Sequence, residues 1–310
     1  MVDGVGGNRL EWQAVPVGVR AVVEAALGSG VVRAVNQRGG FSPGLAARVR
    51  LADGRGVFVK AAGRALNPVT TDLHRREAYV AARLPATVPA PRLLWWHDDG
   101  DWVVLVFEEV AGHQPTLPWQ RADWHRVHAA LVGLAEVLTP SPVEANPINA
   151  DGDDFSGWRS LAADPALAAR LDPWSRANLD RLAELERRWP AAAAGETLLH
   201  GDPRADNLLL TAEGVVFVDW PQAAVGARWV DLLCMLPSVA MQGGPDPAET
   251  WRTSPLARGA DPDAVNAVLA AVTGYFAHSA LLPAPRGLPR LRDFQRAQAS
   301  PALAWLRSRL

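Results

Sequence analysis

The apolar periodicity of this 310-residue chain changes once, and that change constrains the fold more than any other feature. Up to Phe107 the apolar residues fall in short β-rich runs: Val31 to Asn36, Ala46 to Leu51, Gly56 to Ala61, Leu93 to Trp96 and Trp102 to Phe107. Ala52-Asp-Gly-Arg55 reads as a hairpin turn between the second and third runs, and His97 to Asp101 joins the last two. Pro16 to Leu27 reads as a short helix, with Pro16 in its first turn and Gly28 at its C-terminal end. A second helix, capped by Asp72, runs to about Leu84. After Glu108-Glu-Val-Ala-Gly112 the pattern turns helical. Trp124, Val127, His128, Leu131, Leu134, Ala135 and Leu138 share one helical face. Ser175 caps a further helix with Leu179, Leu182, Leu185 and Trp189 inward, and Leu288 to Leu310 is a last amphipathic helix or pair. Ala191 to Gly195 reads as a linker. The predicted class is α+β in two lobes. Residues 1–107 form an antiparallel sheet with one key helix, 108–112 a hinge and 113–310 a helical lobe.

Composition narrows the partners. A net charge of −2 favours neither nucleic acid nor an anionic membrane. With Cys234 as the single cysteine, no intramolecular disulfide and no cysteine-bound structural zinc can form. The most apolar late segment, Ala264 to Leu282, is broken by Asn266, Thr273, Gly274, His278 and Ser279 and reads as a buried helix, not a membrane span. No signal segment opens the chain, so a cytoplasmic location is expected. Thirteen tryptophans against two tyrosines either fill a large core or, for one or two of them, line a pocket for a sugar or a cation.

The chemistry concentrates in Leu198-Leu-His-Gly-Asp-Pro-Arg-Ala-Asp-Asn-Leu-Leu-Leu210 and the following Val215 to Trp220. Asp202 and Asn207 stand five residues apart, and Asp219 follows twelve further on at the end of an apolar run that reads as a buried strand. A charge there is costly unless paired or metal-bound. Phosphoryl transfer from a nucleotide needs such a set: one carboxylate aligns the attacking hydroxyl and accepts its proton, while a second carboxylate and an amide oxygen hold Mg²⁺ on the phosphates. Asp202 is the candidate catalytic residue, and Asn207 and Asp219 the candidate metal ligands. Lys60 lies in the apolar strand Val57 to Ala62 and needs a partner. Glu77 on the following helix is preferred over Asp72, the alternative being an edge-strand lysine in water. Backbone amides near Phe41 and Ser42, in Gln37 to Gly44, either approach phosphate oxygens or belong to a plain hairpin loop. Backbone groups of the hinge residues Glu108, Glu109 and Val110 would meet the adenine edge. His200 reads as a brace for the Asp202 loop. Asp231 either caps the apolar helix it opens or accepts hydrogen bonds from that loop. Cys234 reads as an inert core thiol, and His125 and His128 as surface or satisfied core residues.

The spacing of Asp202, Asn207 and Asp219 matches the catalytic loop and metal-binding aspartate of the protein kinases. Taken with Lys60, Glu77, His200, Gly201, Trp220, Gly226 and Asp231, the chain resembles the aminoglycoside phosphotransferase and choline kinase-like family of small-molecule kinases across about residues 30 to 235. The resemblance implies a bilobal protein-kinase-like fold, ATP or GTP as donor, Mg²⁺, and a small-molecule hydroxyl as acceptor. It gives Lys60, held by Glu77, the α- and β-phosphates. Arg204 stands where the protein kinases carry a lysine that touches the transferring phosphate, and it either does the same or faces solvent. The chain departs from the family pattern at Pro203, Asp206 and Pro221. Only eleven residues separate Asp219 from Asp231, too few for an activation segment, which disfavours a protein acceptor. An aminoglycoside-type antibiotic, or choline, homoserine or a sugar, would serve as acceptor. The acidic Asp151, Asp153 and Asp154 either contact an amine-bearing acceptor or form a solvated loop. A non-catalytic nucleotide-binding protein is the rival from another class.

Overall fold

The structure, a computed structural model, describes residues 9–37, 43–150, 155–285 and 288–310. The chain forms two compact units, residues 1–114 with 206–222 and residues 115–205 with 223–310.

In the first unit, five strands form one antiparallel sheet of order β1-β2-β3-β5-β4: β1 Val31–Asn36, β2 Leu45–Leu51, β3 Gly56–Gly63, β4 Leu93–Asp98 and β5 Trp102–Glu108. Period-two alternation sorts their side chains onto two faces. Val57, Val59 and Ala61 of β3 and Val104 and Val106 of β5 join Trp12, Val15, Val19 and Val23 in a buried cluster on one face. Val19 and Val23 come from helix α1, Val17–Leu27, which Gly28 closes in the left-handed conformation at φ +66°. Each such buried valine is worth about 1.5–3 kcal/mol. On the other face Leu105 and Phe107 pack against Ala78 of helix α2, Pro68–Ala81, with Phe58 beside them. The same alternation sends Lys60, which pairs with Leu105 across the ladder, to the α2 face.

Helix α2 starts four residues before the expected Asp72. Asn67 caps it by accepting the Thr70 N–H at 3.0 Å, and Pro68 takes the first-turn position that needs no N–H. Asp72 lies inside the helix and pairs with Arg75 at 2.8 Å. The unit is completed by the hairpin of β7, Leu208–Leu210, and β8, Val215–Phe217, turned by Thr211 to Gly214. His113 and Leu210 exchange backbone hydrogen bonds at 3.1 and 2.7 Å, which joins this hairpin to the chain just past β5.

The second unit is helical. Helix α3, Arg121–Val137, buries Trp124, Val127, Leu131, Leu134 and Ala135, the predicted face. Strand β6, Thr197–Leu199, pairs with β9, Ala224–Gly226. The helix Val230–Met241 and the long helices Pro262–Ser279 and Leu291–Arg309 follow. Among the described residues no helix is long and apolar enough to cross a membrane. Ser175 is not a cap. Asp172 caps the short helix Pro173–Ala177 by accepting the Trp174 and Ser175 N–H groups, and a second helix, Leu179–Arg187, begins after Asn178. Leu179 and Leu185 of that helix are half-buried, and only Leu182 and Trp189 of the four expected residues are fully inside. The expected linker after Trp189 starts as a short helix, Trp189–Ala192, and Ala193 is fully buried, because alanine favours helix over coil.

Most tryptophans do fill cores: Trp12, Trp119, Trp124, Trp158, Trp189, Trp220, Trp229, Trp251 and Trp305 are buried. Helix α4, Gly157–Ala163, crosses the Pro262–Ser279 helix through two glycines. A Cβ on Gly157 would come within 1.9 Å of the Gly274 carbonyl oxygen. The N-terminus of α4 is capped from outside by the buried Glu186, which accepts the Trp158 and Arg159 N–H groups at 2.9 Å each. Gly157→Ala therefore forces two helix backbones apart, and thermal denaturation should register a loss of about 1–3 kcal/mol; an unchanged midpoint would show that the crossing relaxes freely.

Candidate active site

In the first unit three residues far apart in sequence meet at the Lys60 ammonium. Nζ lies 2.7 and 2.8 Å from the two Glu77 carboxylate oxygens and 2.6 Å from Asp219 Oδ1. The Lys60 and Glu77 side chains are 13% and 3% exposed, while Asp219 is 41% exposed and open to a ligand. Burial by itself would drive a lysine towards its neutral form. Here Asp219 and then Glu77 more than reverse that effect, and the pKa ends above its ordinary value. The preference for Glu77 over Asp72 holds, since Glu77 stands on the face of α2 that meets β3 and Asp72 does not.

The β7–β8 hairpin brings the two candidate metal ligands to one end. Leu208 pairs with Phe217, and Val218 N donates to the Asn207 carbonyl at 3.0 Å, so Asn207 and Asp219 flank the same last rung. Asn207 is 4% exposed. Asp219 has φ +71°, the only positive φ among the described non-glycine residues. Such a conformation costs roughly 1–3 kcal/mol and persists where the surroundings hold it. The contacts around it include the Lys60 bond and the next N–H, that of Trp220, which donates to Glu77.

Sequence reasoning missed two members of this cluster. His74, one helical turn before Glu77 on the same face of α2, is buried, and its Nε2 has no hydrogen-bond partner. Burial first, then the Lys60 charge, pushes its pKa down to about 3, so the ring is neutral. Arg9 also belongs here, and its charge acts on Asp219 and His74. The i, i+3 spacing could have revealed His74, whereas no local signal marks Arg9. Phe41 and Ser42 lie outside the described residues, as do Asp151, Asp153 and Asp154. Of the residues expected at the hinge, the Glu108 carboxylate accepts Arg92 N and Nε at 3.0 and 2.8 Å, and Glu109 pairs with Arg50 at 3.2 Å and Arg48 at 3.6 Å. Those ties fix the backbone of Glu108 and Glu109, next to Val110, against β2 and β4.

In the second unit, β6 leads directly into His200, Gly201 and Asp202. Gly201 has φ +80°, which a side chain would strain. The Asp231 carboxylate accepts His200 N at 2.7 Å and Gly201 N at 3.0 Å. Of its two expected roles, Asp231 therefore takes the one of bracing the loop. Burial pushes its carboxyl up to about 6 against those two bonds. The buried His200 braces the loop as well, its Nδ1 accepting Asp202 N at 3.3 Å. Arg204 Nε lies 3.6 Å from Asp202 Oδ1 and its side chain is largely buried, so it does not face solvent. Burial, then Asp231 and Asp202, push the Cys234 thiol up to about 12, and it stays a thiol. His128 is satisfied by Ser254 Oγ at 2.9 Å and stacks on Trp124, while His125 is exposed.

A model of the phosphotransferase enzyme family (APH) matches residues 40–268. The chain belongs to this family. The expectation of a small-molecule kinase is borne out by that membership. No curated protein sequence matches the chain. Among solved structures, a GDP and kanamycin complex of APH(2")-IIia is 15% identical, covering 95% of this chain and 98% of its own, with a TM-score of 0.59. A thermostable mutant of aminoglycoside phosphotransferase APH(4)-Ia with ADP and hygromycin B is 14% identical, covering 94% and 98%, with a TM-score of 0.58. Amicoumacin kinase hAmiN in complex with AMP-PNP, Ca²⁺ and Ami is 11% identical, covering 94% of this chain and 95% of its own, with a TM-score of 0.53. At these identities the likeness is one of fold, and it bears out the bilobal kinase-like α+β class.

Asp231→Ala strands two loop N–H groups and should cost about 1–3 kcal/mol. Its carboxyl binds a proton more tightly folded than unfolded, so its contribution is full below the unfolded value of 3.8 and is lost as pH rises through about 6. Melting curves of both proteins from pH 4 to 7 check this: the gap between them should narrow as pH rises, and a widening gap would contradict it.

Proposed function

We propose that this phosphotransferase moves the γ-phosphoryl group of ATP or GTP to a hydroxyl of a small molecule. The observation that carries the proposal is the Lys60 ammonium, clamped by Glu77 and Asp219 beside an aspartate in a strained left-handed conformation. Lys60 contacts the α- and β-phosphates, Glu77 holds it in place, and backbone groups of Glu108 to Val110 meet the adenine edge. Residues 1–107 then act as the nucleotide lobe, 108–112 as the hinge and 113–310 as the acceptor lobe.

Asp202 aligns the acceptor hydroxyl and takes its proton late in the reaction. The hydroxyl oxygen bonds to the γ-phosphorus while the bond from that phosphorus to the β,γ-bridging oxygen breaks, and the nucleoside diphosphate leaves. Arg204, beside Asp202, offsets charge on the transferring group. Asn207 and Asp219 offer an amide oxygen and a carboxylate, hard donors of the kind Mg²⁺ takes. Among the described residues no three of His, Cys, Asp and Glu gather to hold a metal ion. Mg²⁺ held by Asn207 and Asp219 would offset negative charge on the nucleotide phosphates.

The acceptor is small. The eleven residues between Asp219 and Asp231 hold β9 and the start of the next helix, with no platform for an extended peptide. Kanamycin, hygromycin B and amicoumacin in the structural relatives make aminoglycoside-type antibiotics the first acceptor class to test, ahead of choline, homoserine and sugars. A cytoplasmic location, with nucleoside triphosphates at hand, goes with this activity. A phosphate-acceptance screen of those compounds with Mg-ATP and Mg-GTP should find one that turns over. Asp202→Asn should then abolish transfer to it while leaving nucleotide affinity within about twofold, since its carboxylate acts only on the hydroxyl. Full turnover by that variant would sink the assignment.

A further inference from the structure

Lys60 is not the only cation delivered to Asp219. Arg9 precedes β1 and stands outside the 40–268 span that the family model matches. Its position is set by backbone contacts on both sides. Arg9 forms a parallel bridge with Gly44, Leu10 N donates to the Gly44 carbonyl at 3.0 Å, and Asn36 Nδ2 donates to the Leu10 carbonyl at 3.1 Å. Gly44 is where Gln37 to Gly44 runs into β2, and it has φ +135°. A Cβ there would come within 2.6 Å of the Ala61 carbonyl oxygen, so only glycine lets the chain pass this close to the neighbour of Lys60. Residues 9 and 10 are thus pinned next to the Lys60 end of β3.

Arg9 is half-buried at that anchor, near enough for its charge to act on Asp219 and His74. His74 is neutral, so it adds no repulsion between the two cations. A planar guanidinium with a fork of donors suits phosphate oxygens better than a lone ammonium does. The stretch from Gln37 to Gly44 lacks G-x-G-x-x-G and so offers a weak backbone cradle by sequence.

We propose that Arg9 is a phosphate-binding residue, which contacts the terminal phosphates of the nucleoside triphosphate beside Lys60 and supplies charge that a glycine-rich loop would otherwise supply as backbone N–H groups. The assignment rests on the nucleotide-binding role proposed for Lys60 and Asp219.

Calorimetric titration of the full-length protein with Mg-ATP, Mg-GTP and AMP tests it, using the wild type, Arg9→Gln and Arg9→Lys. Arg9→Gln should weaken triphosphate binding about tenfold, the scale of one charge-assisted phosphate contact, and leave AMP binding within about twofold. Arg9→Lys, which keeps the charge and the aliphatic stem, should fall between. Equal triphosphate affinity in the wild type and Arg9→Gln overturns the assignment, as does an equal loss for AMP and ATP, which marks a purely structural role. If Arg9→Gln melts early, Arg9→Lys decides: a reduced ratio of triphosphate to AMP affinity supports the contact, and an unchanged ratio overturns it. A wild type that binds no triphosphate brings down the underlying nucleotide assignment, a result distinct from all of these.

Discussion

The Lys60 ammonium organises the first unit. It is held by a helix residue 17 positions away and a hairpin residue 159 positions away, so one ion cluster ties sheet, helix and hairpin together. Removing a lysine and a glutamate from water is expensive, and a lone pair of opposite charges rarely recovers the cost. Here the cluster is better supplied than a pair. Glu77 binds the ammonium with both oxygens and also takes the Trp220 N–H, while Asp219 keeps one side towards solvent. The interaction therefore specifies an arrangement more than it stabilises one. It turns Asp219 into the left-handed region, at the end of a hairpin whose last rung also positions Asn207.

The second unit solves a similar problem with neutral donors. The turn at Gly201 leaves successive backbone N–H groups pointing inward, and a buried polar group without a partner is costly. Asp231, opening the Val230–Met241 helix, collects two of them, and His200 takes a third from Asp202. Three backbone N–H groups of the loop are thus satisfied within the protein. Asp202 carries out the reaction in this scheme, but Asp231 sets its backbone. The Asp231 and Asp202 carboxylates differ in burial, one enclosed and one half-open.

Much of this was legible in the residues. The five strands appear within one or two residues of their expected positions, because alternation and the Ala52–Arg55 turn act locally. The face on which Lys60 lies follows from the same alternation. Errors came where two local signals competed. Asp72 is a good capping residue, but the Asn67-Pro68 pair upstream is a stronger start, and Ser175 likewise lost to Asp172 followed by Pro173. Arg9 was invisible because nothing in its neighbourhood predicts that residues 9 and 10 pair with Gly44.

By itself the sequence determined the elements, the order in which they occur, and a spaced set of residues chemically suited to phosphoryl transfer. Those properties are written in periods of two and 3.6 residues, in caps and in turns, all of which act over a few positions. Only the tertiary structure decided that Glu77 and not Asp72 meets Lys60, that Asp231 braces a loop instead of capping its helix, and that Arg9 and His74 join Asp219. Each of these choices depends on which groups are left buried and unpaired once sheets and helices have packed. That energy is defined only when residues tens or hundreds of positions apart are in contact.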